Sequence, residues 1–594
     1  MRAWIPSLLA LALPGCVGPK SNVSGELQVW HMVTVAFDGP QTSESADPNP
    51  FTDYRLDVTF TGPGGEFVVP GFYAADGRSA ETSADSGSTW LARFAPNAEG
   101  RWLYRASFRA GPGIGLADDP SGGEPAAFDG ATGEFMVEGS DKRPPDFRSR
   151  GRLEYVGKRY PRFAGDGTYF LKGGTDSPEN LLAYVDFDGT RDHDAESGRR
   201  DAFLHRYEPH IRDWREGDPS WQDGKGRGLI GALNYLASEK VNSIYFLPQN
   251  VEGDGDDTWP WVDRTTFDRF DVSKLEQWDI VLSHAARLGI LLHVVTSETE
   301  NDHLLDDGDL GPDRKLYYRE LVARFAHHPA LIWNLGEENT NSTEQRKAHA
   351  SALRSLDPYD HPIVMHTHAT VEHHERHYAP LLGFEDFEGA SMQIREDPVV
   401  HGALIEWMRR SREAGRPWIV SFDEQRTGRD GVAPDGQDES RHDERRDHLW
   451  ATLMAGSWGI EWYFGYMYPN NDLDLEDFRS RSQIWSATRH ALEFFHGHLP
   501  FPEMTPADHL APQGGAYVLA KPGEVYAVYV PSGGTATLDL EGNAGEFEVS
   551  WFNPAEGGPL DDGGAVSGPG VVRLGPAPGN PAQDWVVLAR LAGD

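Results

Sequence analysis

Between residues 150 and 500, short apolar runs alternate with amphipathic helical stretches, and this alternation constrains the fold more than any other feature of the chain. The strand-like runs are Tyr169–Lys172, Val241–Leu247, Gly289–Val295, Ala330–Asn334, Pro362–His366, Gly389–Gln393, Pro417–Phe422 and Gly459–Phe464. Helical spacing of apolar residues marks Lys274–Leu288 and Arg314–His328 between them. Eight such units in about 350 residues predict a (β/α)8 TIM barrel. A doubly wound parallel sheet is the competing solution, but no Gly-rich phosphate loop follows any of the strands.

The flanking regions have a different texture. Residues 26–138 alternate apolar and polar positions, as in Leu27–Val35, Tyr54–Phe60 and Trp102–Phe108, with Gly/Pro turns between them. Residues 505–594 repeat the pattern in Ala516–Ala520, Val525–Val530, Ala536–Leu540, Phe547–Phe552 and Trp585–Leu588. Regular short strands of this kind predict sandwiches. The expected architecture is multidomain α/β plus all-β, a TIM barrel flanked by two β-sandwich domains. Its expected limits are 1–24 for a leader and tether, 25–145, 146–503 for the barrel, and 504–594. No internal repeat of fixed period is present.

In a TIM barrel the chemistry sits at the C-terminal ends of the strands. Four of the predicted ends carry acids. Strand one ends in Asp176 and Glu179, strand three in Glu298 and Glu300, strand four in Glu337 and Glu338, and strand seven in Asp423 and Glu424. Such a cleft suits glycosidic cleavage, in which one carboxylic acid protonates the leaving oxygen and a second carboxylate attacks the anomeric carbon or activates water. The reaction needs neither a cofactor nor a metal. Gln249 and Asn250 follow strand two, His366 and His368 follow strand five, Gln393 ends strand six, and Trp462 and Tyr463 lie on strand eight. These are candidates for holding sugar hydroxyls and sugar faces.

Other chemistries find less support. The run His366, His368, His373, His374, His377 contains no HExxH zinc pattern. The acidic stretches 254–257 and 306–309 lack EF-hand spacing. No Gly-x-Ser-x-Gly elbow is present. With 93 Asp+Glu against 54 Lys+Arg, the net charge of −39 argues against nucleic acid as a partner. The same charge disfavours strongly acidic polysaccharides, unless local arginines or bound cations reverse the field at the cleft.

The strand-four end Trp333-Asn334-Leu335-Gly336-Glu337-Glu338-Asn339 resembles the W-x-x-G-N-E-P signature of clan-A glycoside hydrolases. That resemblance implies Glu338 as acid/base and Glu424, on strand seven, as nucleophile of a retaining double displacement. Glu337 stands where the clan has Asn, so Glu337 competes with Glu338 for the acid role, as Asp423 does with Glu424. The segments Trp30–Thr34, Phe37–Pro40 and Asn49–Leu56 resemble an uncharacterised β domain that precedes many bacterial glycosidases. Phe170–Asn180 resembles the first barrel strand of the same group, and the tail, with Trp551–Pro554 and Asp584–Leu588, is similar to a domain labelled "putative collagen-binding". A non-catalytic glycan-binding or adhesin lipoprotein, or a polysaccharide lyase, would share this architecture.

The chain opens with Met1-Arg2 and a short apolar run ending Leu13-Pro14-Gly15-Cys16. The run has the length of a signal-peptide core and ends in a motif that resembles the lipobox of bacterial lipoproteins. Cys16 is the only cysteine, so the expected location is the cell envelope, with lipid on Cys16 anchoring the protein to the bacterial membrane.

Overall fold

A computed structural model describes residues 21–193, 204–438, 440–512, 515–580 and 582–593. Cys16 and the apolar leader lie outside the described residues. No helix among the described residues is long and apolar enough to cross a membrane.

Eight parallel strands close into a barrel in sequence order: Lys172–Thr175, Ser243–Phe246, Leu291–Val295, Leu331–Asn334, Ile363–Thr367, Gly389–Ile394, Ile419–Gln425 and Gly459–Trp462. Every residue in all eight is buried. That explains why the strands read as nearly continuous apolar runs rather than alternating ones. The helices between them carry ordinary stop signals. Asp271 caps the helix Val272–Leu288 by accepting from the Lys274 amide at 2.9 Å, and Gly289, at φ +78°, ends it.

Two differences from the expected strands matter for the site. Strand one begins at Lys172 rather than Tyr169 and runs through Gly173 and Gly174. A Cβ at Gly174 would lie 2.5 Å from the Ser243 carbonyl and 2.9 Å from Glu461 Cγ, so glycine there makes room for a charged layer inside the barrel. Strand seven continues to Gln425 and carries Asp423 and Glu424 on the strand itself.

That interior layer is a closed ion-pair network. Lys172 Nζ lies 2.7 Å from Asp423 Oδ1 and 2.8 Å from Glu461 Oε2. His293 Nδ1 lies 2.7 Å from Glu461 Oε2, and its Nε2 is 3.0 Å from the Asn334 amide nitrogen. Ser421 donates to Asp423 at 2.6 Å. All of these groups are sealed from water, a situation tolerated only when each charge is paired.

The N-terminal region is a sandwich. One sheet contains Ser21–Gly25, Val33–Ser43, Ser86–Phe94 and Phe72–Tyr73; the other contains Gly65–Pro70, Tyr54–Gly62, Gly100–Ala110, Glu124–Pro125 and Thr132–Val137. Phe60 of one sheet stacks on Phe94 of the other at 4.3 Å. The alternation over Leu27–Val35 predicts a strand, yet Leu27 (φ +53°) and Trp30 (φ +67°) turn the chain, and pairing starts at Val33. Part of the expected tether, Ser21–Gly25, is likewise a strand, paired with Val33–Phe37.

The C-terminal region is a six-stranded antiparallel sheet and a two-stranded sheet, Thr535–Asp539 with Val571–Pro576. One face of the large sheet forms a core of its own, with Tyr526, Val528, Trp551 and Trp585. Tyr529, Phe552, Val586 and Leu588 on the other face join the hydrophobic cluster of the barrel. Arg445, in the segment between strands seven and eight, forms a buried pair with Asp584 at 2.8 Å, and Tyr529 donates to the same carboxylate at 3.0 Å.

Candidate active site

At the C-terminal mouth of the barrel the strand ends bring acidic side chains together, as their positions predict. Asp176, Glu179, Glu298 and Glu424 are each at most 3% exposed. Glu179, Glu298 and Glu337 have carboxylate oxygens within 4.8 Å of one another, and so do Glu337, His366 and Glu424 taken with the histidine nitrogen. Sets this close can share protons or hold a divalent cation. None of Asp176, Glu179, Glu298, Glu337, Glu424 and Asp472 has a lysine or arginine within ion-pair distance among the described residues. Among the described residues, buried oxygens of Asp176, Glu337, Glu424 and Asp472 have no hydrogen-bond partner, nor do His366 Nε2 and Gln393 Oε1. Several unspent polar atoms therefore converge on one space, as a site for a polyhydroxylated ligand requires.

The two strand-four glutamates have different surroundings. Glu337 Oε2 is closed off from solvent and faces the Glu179 and Glu424 carboxyls. Glu338 is 30% exposed and lies 2.6 Å from His368 Nδ1. On a regular strand two consecutive side chains point to opposite faces. Here Gly336 (φ +149°) and Glu338 (φ +40°) break that alternation, and the fields of both glutamates act on Glu424. A non-glycine residue held at positive φ is backbone strain of the kind found at working sites.

The electrostatics follow from burial. Burial first, and then the mutual repulsion of Glu337, Glu338, Asp472 and their neighbours, pushes the carboxyls of Asp176, Glu179, Glu298, Glu337 and Glu424 well above the ordinary range. Asp472 is pushed up to about 7, chiefly by burial. Glu461, in the layer below, is the opposite case: Lys172 and His293 outweigh its burial and hold it at about 2. Asp423 is committed to Lys172 and Ser421 in that layer, which removes it as a rival to Glu424.

This sets the direction of a pH dependence. In the unfolded chain a carboxyl titrates near 4, while folded Asp472 keeps its proton up to about 7. Between those values the folded state binds the extra proton, so stability falls as pH rises, by up to about 1.4 kcal/mol per pH unit for each such group. Thermal unfolding should show a higher midpoint at pH 5 than at pH 8, and Asp472→Asn should flatten the slope between pH 4 and 7. A wild-type midpoint that climbs through this window would contradict the assignment.

The remaining candidates divide. His366 Nε2 lies 3.5 Å from Glu424 Oε2, and its Nδ1 is 3.4 Å from the Tyr245 hydroxyl. Gln393 stands opposite Glu424 in the register of strands six and seven. Tyr463 donates to the Gly428 carbonyl at 2.9 Å, and the fields of Asp472, Glu424 and Glu179 act on it at the cleft wall. Gln249 reaches the cluster indirectly, through Asn301, which bonds Glu298. Two candidates fall away. Trp462 is fully buried and points outward, donating to Thr488 at 2.9 Å, because Glu461 takes the inward position on that strand. Asn250 uses its amide within its own loop, on Thr258 and Asp254. Tyr245, Tyr466 and Asp472 join the site without having been singled out, and Asp254, read from the sequence only as part of an acidic loop, joins it through its amide bond to Glu298. Asp472 and Tyr466 come from the loop after strand eight, where no periodic signal marks them.

Comparison with known proteins places this geometry among familiar folds. Residues 26–109 match the family described as "domain of unknown function (DUF5060)", and residues 508–590 match "putative collagen-binding domain of a collagenase". No curated protein matches the chain. Among solved structures the fold is similar to a "putative glycoside hydrolase" from Bacteroides vulgatus ATCC 8482, with TM-score 0.62 and 16% identity over 95% of this chain and 99% of that one. It is also similar to a family 5 glycoside hydrolase from the same organism, with TM-score 0.55 and 16% identity over 77% and 96% of the two chains. A third structure, described as a glycoside hydrolase, matches with TM-score 0.55 and 15% identity over 75% and 98%. At these identities the likeness is one of fold.

Proposed function

We propose that the protein is a retaining glycoside hydrolase in which Glu424 is the nucleophile and Glu338 the acid/base. The observation that carries this reading is the meeting of strand four and strand seven glutamates across the mouth of a closed barrel. In the first step a Glu424 oxygen bonds to the anomeric carbon. The bond to the leaving oxygen breaks toward that oxygen, which takes a proton from Glu338. In the second step Glu338 accepts a proton from water, the water oxygen bonds to the anomeric carbon, and the Glu424 ester breaks. His368, whose pKa the hydrogen bond with Glu338 raises, keeps a proton beside that carboxyl between steps.

Glu337 suits a different task. Burial and neighbouring acids keep it protonated, so its hydroxyl donates a hydrogen bond as the amide of an asparagine would. Glu338, partly open to solvent, is the strand-four acid that can reach a leaving group. The unpaired acids of the cleft floor favour an uncharged ring at the cleaved sugar.

Leaving-group chemistry separates the two glutamates. Glu338→Ala should lose roughly 10²–10⁴-fold on natural linkages, the range for removing a general acid. It should retain turnover on activated aryl glycosides and regain rate with azide, yielding a glycosyl azide of retained configuration. Azide rescue of Glu337→Gln instead, with Glu338→Ala unaffected, would transfer the role.

A further inference from the structure

Beside Glu338 the charge of the molecule reverses. A cleft of 470 Å³ is lined by Thr340–Thr343, Arg346, His368, His373, Arg376 and His377, and it includes no carboxylate, although the chain has 93 acidic residues. It adjoins the acid/base directly, because His368 both lines the cleft and pairs with Glu338.

Arg346 makes this more than a basic patch. It is 1% exposed and forms no ion pair among the described residues. Its Nε donates to Asn339 Oδ1 at 2.9 Å and its Nη2 to the Asn339 carbonyl at 3.0 Å and to His377 Nδ1, while Nη1 has no partner among the described residues. Burial pulls its pKa down to about 10, the mark of a guanidinium short of a counter-charge. Arg376, exposed on the facing helix Val371–His377, also lacks an ion-pair partner among the described residues. The opposite wall is the start of the helix Thr343–Leu356, where Ser342 and Gln345 cap each other's amides. Of the nearby acids, Asp302 acts on Arg346 and His368 through its charge without forming an ion pair with either, and Glu344 is exposed outside the cleft lining. Asp302 accepts from the Thr340 amide and hydroxyl at 2.7 and 2.8 Å, Glu338 holds His368, and Glu372 is exposed outside the cleft lining.

We propose that this basic flank is the subsite for an anionic substituent, a carboxylate or a sulfate ester, on the sugar that leaves from Glu338. The enzyme would then cut between an uncharged sugar and an acidic one. The inference rests on the glycosidase reading for the direction of departure, but the binding of the anion does not. The −39 charge of the whole molecule would otherwise repel such a substrate; the cleft reverses that field locally.

Binding separates the two questions. Sodium glucuronate, glucose 6-sulfate and glucose are titrated calorimetrically into the full-length protein at constant ionic strength. The anions should bind at least tenfold more tightly than glucose. Arg346→Gln and Arg376→Gln should each remove roughly five- to tenfold of that preference, about one charge-assisted hydrogen bond. Arg376 is exposed, so its variant reports even if the buried Arg346 variant folds poorly. Preference for glucuronate assigns a uronate, and preference for the sulfate assigns a sulfated sugar. Equal affinity for all three, or a preference unchanged in Arg376→Gln, would overturn the subsite whether or not glycosides are hydrolysed. Anion binding without hydrolysis of any glycoside would instead overturn the catalytic reading and leave the subsite standing.

Discussion

Glu424→Gln should reduce turnover on every glycoside by roughly 10⁴–10⁶-fold, the scale seen when a covalent nucleophile is removed. The substitution keeps the side chain's size and replaces a carboxyl whose ionisation burial and the neighbouring acids oppose with a group that never ionises. The fold should therefore hold or gain slightly in stability while the chemistry disappears. That pairing is diagnostic, because a merely structural carboxylate would show the reverse. Mass spectrometry with a 2-fluoro activated glycoside supplies the direct check. The wild type should gain the mass of one glycosyl group on the peptide containing Glu424, and the variant should not. Label found on Asp423, or turnover within tenfold of wild type, would remove Glu424 from its role.

The second large effect is on stability. Lys172→Met leaves Asp423 and Glu461 facing each other in the barrel interior with only His293 to offset them. Breaking one partner out of a buried ion network costs about 3–5 kcal/mol. For a barrel of this size that is a fall of roughly 5 °C in the thermal midpoint. The triple variant Lys172→Met, Asp423→Leu, Glu461→Met should recover most of the loss, since no uncompensated charge remains. An unchanged midpoint in the single variant would show that the network is not paired as described.

Barrel strands such as Ser243–Phe246, Leu291–Val295 and Leu331–Asn334 were legible because full burial writes itself as a mostly apolar run, and no polar alternation is needed to recognise it. Strand one was displaced because Gly173 and Gly174 look like a turn, whereas Gly174 exists to admit Glu461 and Ser243. The carboxylates at strand ends could be found from position alone. Which way each points could not, since that depends on strand alternation across a closed sheet. Trp462 turned outward because Glu461 turned in, and Asp423 went to Lys172. Asp472 and the arginines of the basic flank were invisible for a different reason. They reach the site from a long loop and from two separate helices, and no local pattern connects them. The histidine run was conspicuous, but its companions Arg346 and Arg376 give it a meaning that spacing alone could not.

The clasp between Arg445 and Asp584 bears on how interchangeable the parts of this chain are. Segmented proteins are often pictured as beads that can be exchanged between strings. Here the last bead shares a wall with the one before it: Trp450 stacks on Tyr529 at 5.3 Å, Phe494 meets Phe552 at 4.8 Å, and Arg445 pairs with Asp584 on the far side. The segment so supported, Glu444–Trp450, lies between the strand that carries Glu424 and the last barrel strand. The terminal sheet is thus also a support for the barrel wall next to strand seven. Grafting an unrelated module in its place would dismantle part of the machine it was meant to equip.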